Sequence, residues 1–166
     1  MEIQVIVADI VKQSDAEAVV NSANANLRLG SGVAGAIHTA AGEELEDYCQ
    51  QFAPLALGKA VITPGFNLPN KYVIHARAGH YLHEDDAEAH LELAYRSALT
   101  LAAAHNIQSV AIPAMGVGVF KFPLEVAAAI TARVLLSPEW DSTSLRWVRL
   151  CVSDEHIKAA YLKALS

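Results

Sequence analysis

The chain has 166 residues, 53% of them hydrophobic and 18% charged, enough apolar material for one globular core and a poor composition for disorder. No apolar run approaches the roughly 20 residues of a membrane-spanning helix, and Met1-Glu2-Ile3-Gln4 lacks the basic region and long apolar stretch of a secretion signal; both point to a soluble, cytoplasmic protein. A formal net charge of −6 argues against non-specific attraction to nucleic acid, so any bound phosphate must be met locally by backbone N–H groups and helix ends.

In chain order, Ile3 to Ala8 alternates as a half-buried strand ending at Asp9, and Ala18-Val19-Val20 is a short apolar strand ending at Asn21. A single helix is predicted from Val33 to about Phe52, with Val33, Ile37, Ala40 and Ala41 on one face and Glu43, Glu44, Glu46 and Asp47 on the other. Lys59 to Thr63 and Tyr72 to Ala76 read as strands separated by the turn chemistry of Pro64-Gly65 and Pro69-Asn70. A long helix over about 87–105 follows, then a buried strand Ser109 to Pro113 and a helix from Pro123 to about Leu136. Leu145 to Val152 is the last strand and Glu155 to Leu165 the closing helix. Strands alternating with helices indicate an α/β sandwich with helices on both sheet faces. Cys49 and Cys151 fall in a predicted helix and strand and read as buried thiols.

The loops after the strands carry the chemistry, because ligands of open α/β sheets bind at the carboxyl ends of strands. Asp9, residues 21–33, residues 114–120 and Ser153-Asp154 all follow predicted strands and are expected on one rim. In residues 21–38, an Asn-rich turn runs into Gly30, Gly32 and Gly35 and opens an alanine-rich helix. Glycines there let the backbone approach a ligand, and the orphan N–H groups of a helix start favour an anion such as diphosphate. The amides of Asn21, Asn24 and Asn26 all donate and accept, which suits a sugar as well.

Gly30-Ser31-Gly32-Val33-Ala34-Gly35 satisfies the spacing of the dinucleotide fingerprint but not its context. Gly30 stands nine positions after Asn21, and the next strand ends Ile62-Thr63-Pro64 without an acid. The second loop, Gly116 to Phe120, lacks the Gly-Lys-Ser/Thr of a P-loop. His80, His83 and His90 have no second Cys/His cluster to complete a metal site, and Gly30-Ser31-Gly32 has the wrong spacing for a serine nucleophile. His38 and His75 lie in apolar surroundings and read as core histidines with satisfied hydrogen bonds. No cofactor and no metal is called for.

Three segments together resemble the macrodomains, the ADP-ribose-binding family. They are Val20-Asn21-Ser22-Ala23-Asn24 with Leu27, Gly30-Ser31-Gly32-Val33 and Gly35-Ala36-Ile37-His38-Thr39-Ala40-Ala41-Gly42; Tyr72-Val73-Ile74-His75-Ala76; and Ile112-Pro113-Ala114-Met115-Gly116-Val117-Gly118-Val119-Phe120 with Phe122-Pro123. The resemblance covers essentially the whole chain. It implies a three-layer α/β/α sandwich with a mixed central sheet, residues 1–166 forming a single macrodomain. It also implies site roles. Asp9 accepts from the adenine amino group and Ile10 offers its N–H; Ser31, Gly32 and Val33 face the phosphates from one side and Gly116, Val117, Gly118 and Val119 from the other. Asn21 is counted among the ligand-binding residues, Asn24 grips the distal ribose as the candidate catalytic residue, Phe120 packs on that ribose, and Ser153 stands at the adenine end where some members have an aromatic. Ala34 stands where MacroD-type hydrolases carry an aspartate, and Val117 where a threonine is common. Two functions follow from the resemblance: hydrolysis of ADP-ribosyl esters, on acidic side chains or as O-acyl-ADP-ribose, or non-catalytic reading of ADP-ribose and ADP-ribosylated protein.

Overall fold

A computed structural model describes residues 1–166. Six strands form one sheet: β1 (Glu2–Val7), β2 (Ala18–Ser22), β3 (Ala60–Pro64), β4 (Tyr72–Ala76), β5 (Ser109–Pro113) and β6 (Trp147–Val152). Their order is β1-β6-β5-β2-β4-β3; every neighbouring pair is parallel except β3 with β4, so the sheet is mixed. Five helices cover it: α1 (Gly32–Ala41), α2 (Glu43–Cys49), α3 (Ala87–Ala104), α4 (Leu124–Leu135) and α5 (Glu155–Leu165).

The period-2 alternation of the central strands assigns each face its own core. On β2, Ala18 and Val20 point into a cluster with α3, α4 and α5, whereas Val19 points into a second cluster with α1 and α2. The same division holds on β5, where Val110 and Ile112 face the first cluster and Ala111 the second. Ala18, Val19 and Val20 are all fully buried, as a strand inside a two-sided parallel sheet requires. Each fully buried Val, Leu or Ile in these layers contributes about 1.5–3 kcal/mol. This is the expected α/β/α sandwich.

Two local expectations are corrected. The helix predicted over Val33 to Phe52 is broken at Gly42, whose φ of 92° directs the chain out of α1 and into α2, with a short 3-10 turn following at Gln50–Phe52. Only glycine adopts that conformation cheaply. The buried stripe of α1 is Ala34, Ile37, His38 and Ala41, because Val33 turns toward a surface cavity instead.

The chain passes from β2 toward one edge of the sheet through β3 and β4, then crosses back through α3 to β5 on the other side of β2. The carboxyl ends of β2 and β5 therefore diverge into loops of opposite course, which opens a crevice between them.

Candidate functional site

The first wall of the crevice is the segment joining β2 to α1. Leu27, fully buried with φ 55°, anchors it to the core. Asn24 braces it: its Oδ1 accepts from the Arg28 N–H at 3.0 Å and its Nδ2 donates to the Arg28 carbonyl at 2.7 Å. Gly35 lets α1 close on this turn, since a Cβ there would lie 2.4 Å from the Gly30 carbonyl oxygen. Ser31 is the N-cap but gives no side-chain cap, and the N–H groups of Ser31, Gly32, Val33 and Ala34 donate to no protein acceptor. Four free donors thus converge at the positive end of a ten-residue helix.

The second wall follows β5. Tyr95 on α3 fixes its start, its hydroxyl donating to the Pro113 carbonyl at 2.8 Å and accepting from the Met115 N–H at 2.7 Å. Gly116 turns the chain with φ 91°, and the Phe122 ring occupies the space a Cβ would need, 2.9 Å away. The Tyr81 N–H holds the Phe120 carbonyl at 2.7 Å. In between, the N–H groups of Gly116, Val117, Gly118, Val119 and Phe120 again have no protein acceptor. Two sets of unsatisfied backbone donors face one crevice, a nest for a polyanion.

The crevice has two lobes. One, of about 350 Å³, is lined by Asn24, Ser31, Gly32 and Val33 on one side and by Gly116, Gly118, Val119 and Phe120 on the other. The second, of about 300 Å³, is lined by Asp9, Ile10, Val117 and Ser153. Val33, Ala114 and Gly118 belong to both lobes, so the two are one continuous cleft. Asp9 caps a 3-10 turn by accepting from the Val11 N–H through Oδ1 at 3.1 Å, and Oδ2 remains free for a ligand. Ala34, named from sequence for the aspartate it replaces, lines the first lobe, whereas Ser22 there, and Ala8, Val152 and Ile157 in the second, were not singled out as ligand contacts from sequence. Ile157 could have been: it sits in the first turn of α5, its N–H held by the Asp154 cap at 2.8 Å.

Asn21 is placed elsewhere. It lies within β2, fully buried, and its Nδ2 donates to His75 Nδ1 at 3.0 Å. With Nδ1 accepting, the proton sits on Nε2, which donates to Thr63 Oγ1 at 3.0 Å, and Thr63 donates onward to the Pro64 carbonyl. Burial, with the neighbouring His38 second, pushes the His75 imidazole down to about 3, so it is neutral at pH 7. His38, also lowered by burial, has no protein partner on either ring nitrogen, contrary to the expected satisfied bond. Cys49 and Cys151 are free, buried thiols, and burial pushes each up to about 11, which makes them inert at neutral pH.

The fold and cleft define an α/β domain with an elongated crevice lined by free backbone donors at the switch point of its sheet. The chain belongs to the Macro domain family, whose profile matches residues 20–131. A macro domain-containing protein of Lactiplantibacillus plantarum is 38% identical over 168 residues, covering 100% of this chain and 97% of the relative. An O-acetyl-ADP-ribose deacetylase of Salmonella gallinarum is 44% identical over 138 residues, covering 80% of this chain and 76% of the relative. Among solved structures, the Oceanobacillus iheyensis macrodomain with ADP superposes with a TM-score of 0.90 at 32% identity, over 97% of this chain and 88% of that one. No helix is long and apolar enough to cross a membrane.

Proposed function

We propose that the cleft binds ADP-ribose end to end and hydrolyses ADP-ribosyl esters, either mono-ADP-ribose on acidic side chains of proteins or O-acyl-ADP-ribose. The observation that carries this is the pair of facing loops with free N–H groups, flanked by Asp9 in one lobe and by Asn24 and Phe120 in the other. Adenine fits against Asp9 and Ile10, the diphosphate between the loops, and the distal ribose against Asn24 and Phe120. The similarity to an O-acetyl-ADP-ribose deacetylase and to a macrodomain carrying ADP-ribose supports the same orientation of chemistry.

Overall, water and the ester give free ADP-ribose and the carboxylic acid, which loses its proton at neutral pH. At an ester of the anomeric carbon the departing carboxylate is a good leaving group. Where a ribose hydroxyl carries the acyl group, water adds to the acyl carbon and the sugar oxygen leaves with a proton from that water. In both cases the cleft works mainly by holding water and ester in register. Asn24 is the side chain assigned to fixing the ribose. Its second amide hydrogen and second lone pair remain after the bonds to Arg28.

A non-catalytic reader is the second reading, and Ala34 favours it, because the first turn of α1 contains no acid to orient water. Incubation with glutamate-linked mono-ADP-ribosylated protein and with O-acetyl-ADP-ribose separates the two. Release of ADP-ribose supports the hydrolase; tight binding without release at enzyme excess supports the reader.

A further inference from the structure

We infer that Glu46 is a positioning residue that sets the distal-ribose half of the cleft from outside it, an inference that rests on the ADP-ribose reading above. The joining segment from β2 to α1 has its inner face in the cleft and its outer face against α2. Its outer face is pinned residue by residue. Leu55 N–H donates to the Ala25 carbonyl at 2.8 Å, and Gln50 Nε2 to the Asn26 carbonyl at 3.3 Å. The last pin before the glycine turn is Glu46: its Oε2 accepts from the Leu29 N–H at 2.5 Å, while its Oε1 lies 3.5 Å from Arg28 Nη1.

One carboxylate therefore holds two consecutive residues, and Arg28 is the residue whose backbone Asn24 clasps. Beyond Leu29, Gly30 and Ser31 donate no backbone hydrogen bond, and the next hold on the chain is from α1, where the Gly35 N–H donates to the Ser31 carbonyl at 3.4 Å. Behind Leu29 lies a cavity of about 380 Å³ lined by His38, Thr39, Glu43, Glu46 and Asp47. A segment released from Glu46 has space to retreat into. The Asn24 amide and the Ser31 N–H would then leave the positions the distal ribose and diphosphate require, whereas Asp9, Ile10 and Ser153 lie in the other lobe and stay where they are.

The test compares Glu46→Ala and Glu46→Gln with the wild-type protein for binding of ADP-ribose and of AMP, which occupies the adenine lobe without a distal ribose. Loss of a charge-assisted hydrogen bond predicts that Glu46→Ala raises the ADP-ribose Kd about tenfold. Its AMP Kd stays within about twofold, since the other lobe is untouched. Glu46→Gln keeps an oxygen to accept from Leu29 and restores most of the ADP-ribose affinity. Equal loss for both ligands, no loss in Glu46→Ala, or a Glu46→Gln protein as weak as Glu46→Ala overturns the positioning role. A wild-type protein that binds neither ligand fails the underlying ADP-ribose reading, a result distinct from all of these.

Discussion

Gly118 offers a clean way to close the cleft without disturbing the fold. It lines both lobes, its φ is outside the left-handed region, and a Cβ built on it meets no atom within 4 Å. Gly32 on the opposite wall has φ 59°, so a side chain there would add backbone strain. Gly118→Glu should therefore fold normally and place a carboxylate among the free N–H groups of Val117 to Phe120, at the proposed diphosphate site. Two unit charges about 4 Å apart repel by about 4 kcal/mol at an effective dielectric constant of about 20. That corresponds to a Kd raised about a thousandfold. Calorimetric titration with ADP-ribose should show saturable heat for the wild type and none at the same concentrations for Gly118→Glu, with Gly118→Ala separating bulk from charge. Thermal unfolding should shift by no more than a surface substitution does, about 0.5 kcal/mol. A Gly118→Glu protein that binds like the wild type would place the diphosphate somewhere else.

Gly35→Ala puts a methyl group 2.4 Å from the Gly30 carbonyl oxygen, so α1 or the turn must shift; denaturant unfolding should report a loss of about 1–3 kcal/mol, with weaker ADP-ribose binding. The neutral, buried His75 makes stability pH-dependent: its imidazole is held down to about 3 against about 6.5 in the unfolded chain. Between those values the unfolded chain carries a proton the folded one lacks, so this contribution is complete above about pH 6.5 and is lost as pH falls toward 3, by at most about 1.4 kcal/mol per pH unit. Urea midpoints at about pH 7 and about pH 5, compared with those of a His75→Asn variant, isolate the effect; an unchanged slope in the variant would assign the acid sensitivity to other groups.

The sequence displays those parts of the site that depend on backbone shape. Gly30, Gly35 and Gly116 mark places where a Cβ would crowd a neighbour, Gly32 a left-handed backbone and Gly118 an open wall, and both glycine loops stand where their spacing after strands puts them. Short continuous apolar runs bounded by turn residues made the strands Tyr72–Ala76 and Ser109–Pro113 readable to the residue, and both are buried along nearly their whole length. What stayed hidden depends on direction. Asn21 and Asn24 look equivalent as letters, but β2 runs on to Ser22, so the pleat turns Asn21 inward to His75 while Asn24, past the strand end, reaches the cleft. Gly42 sits inside a continuous helical pattern, and only its φ of 92° separates α1 from α2. Glu46 reads as one more carboxylate on a solvated face, because its partners at Arg28 and Leu29 come from a different element.

On the proposed hydrolase reading, the side chains lining the lobe assigned to the distal ribose decide which bonds the cleft can break. They come from Ser22, Asn24, Ser31, Val33 and Ala34 on one wall and from Ala114, Val119 and Phe120 on the other, with glycines between. None titrates near neutral pH, and the one carboxylate of the cleft, Asp9, lies in the other lobe. A site of this kind can orient water and spread developing charge over backbone donors, but it cannot hand a proton to a leaving group. A departing side-chain carboxylate, with a pKa of about 4, needs no such proton. A serine alkoxide or an arginine nitrogen does. Time courses of ADP-ribose release from glutamate-, serine- and arginine-linked conjugates should therefore show turnover for the glutamate ester alone, and the Ala34→Asp variant should accelerate that ester without opening the other two. Release from the serine linkage at a comparable rate would require a general acid that this lobe does not contain, and would overturn the mechanism.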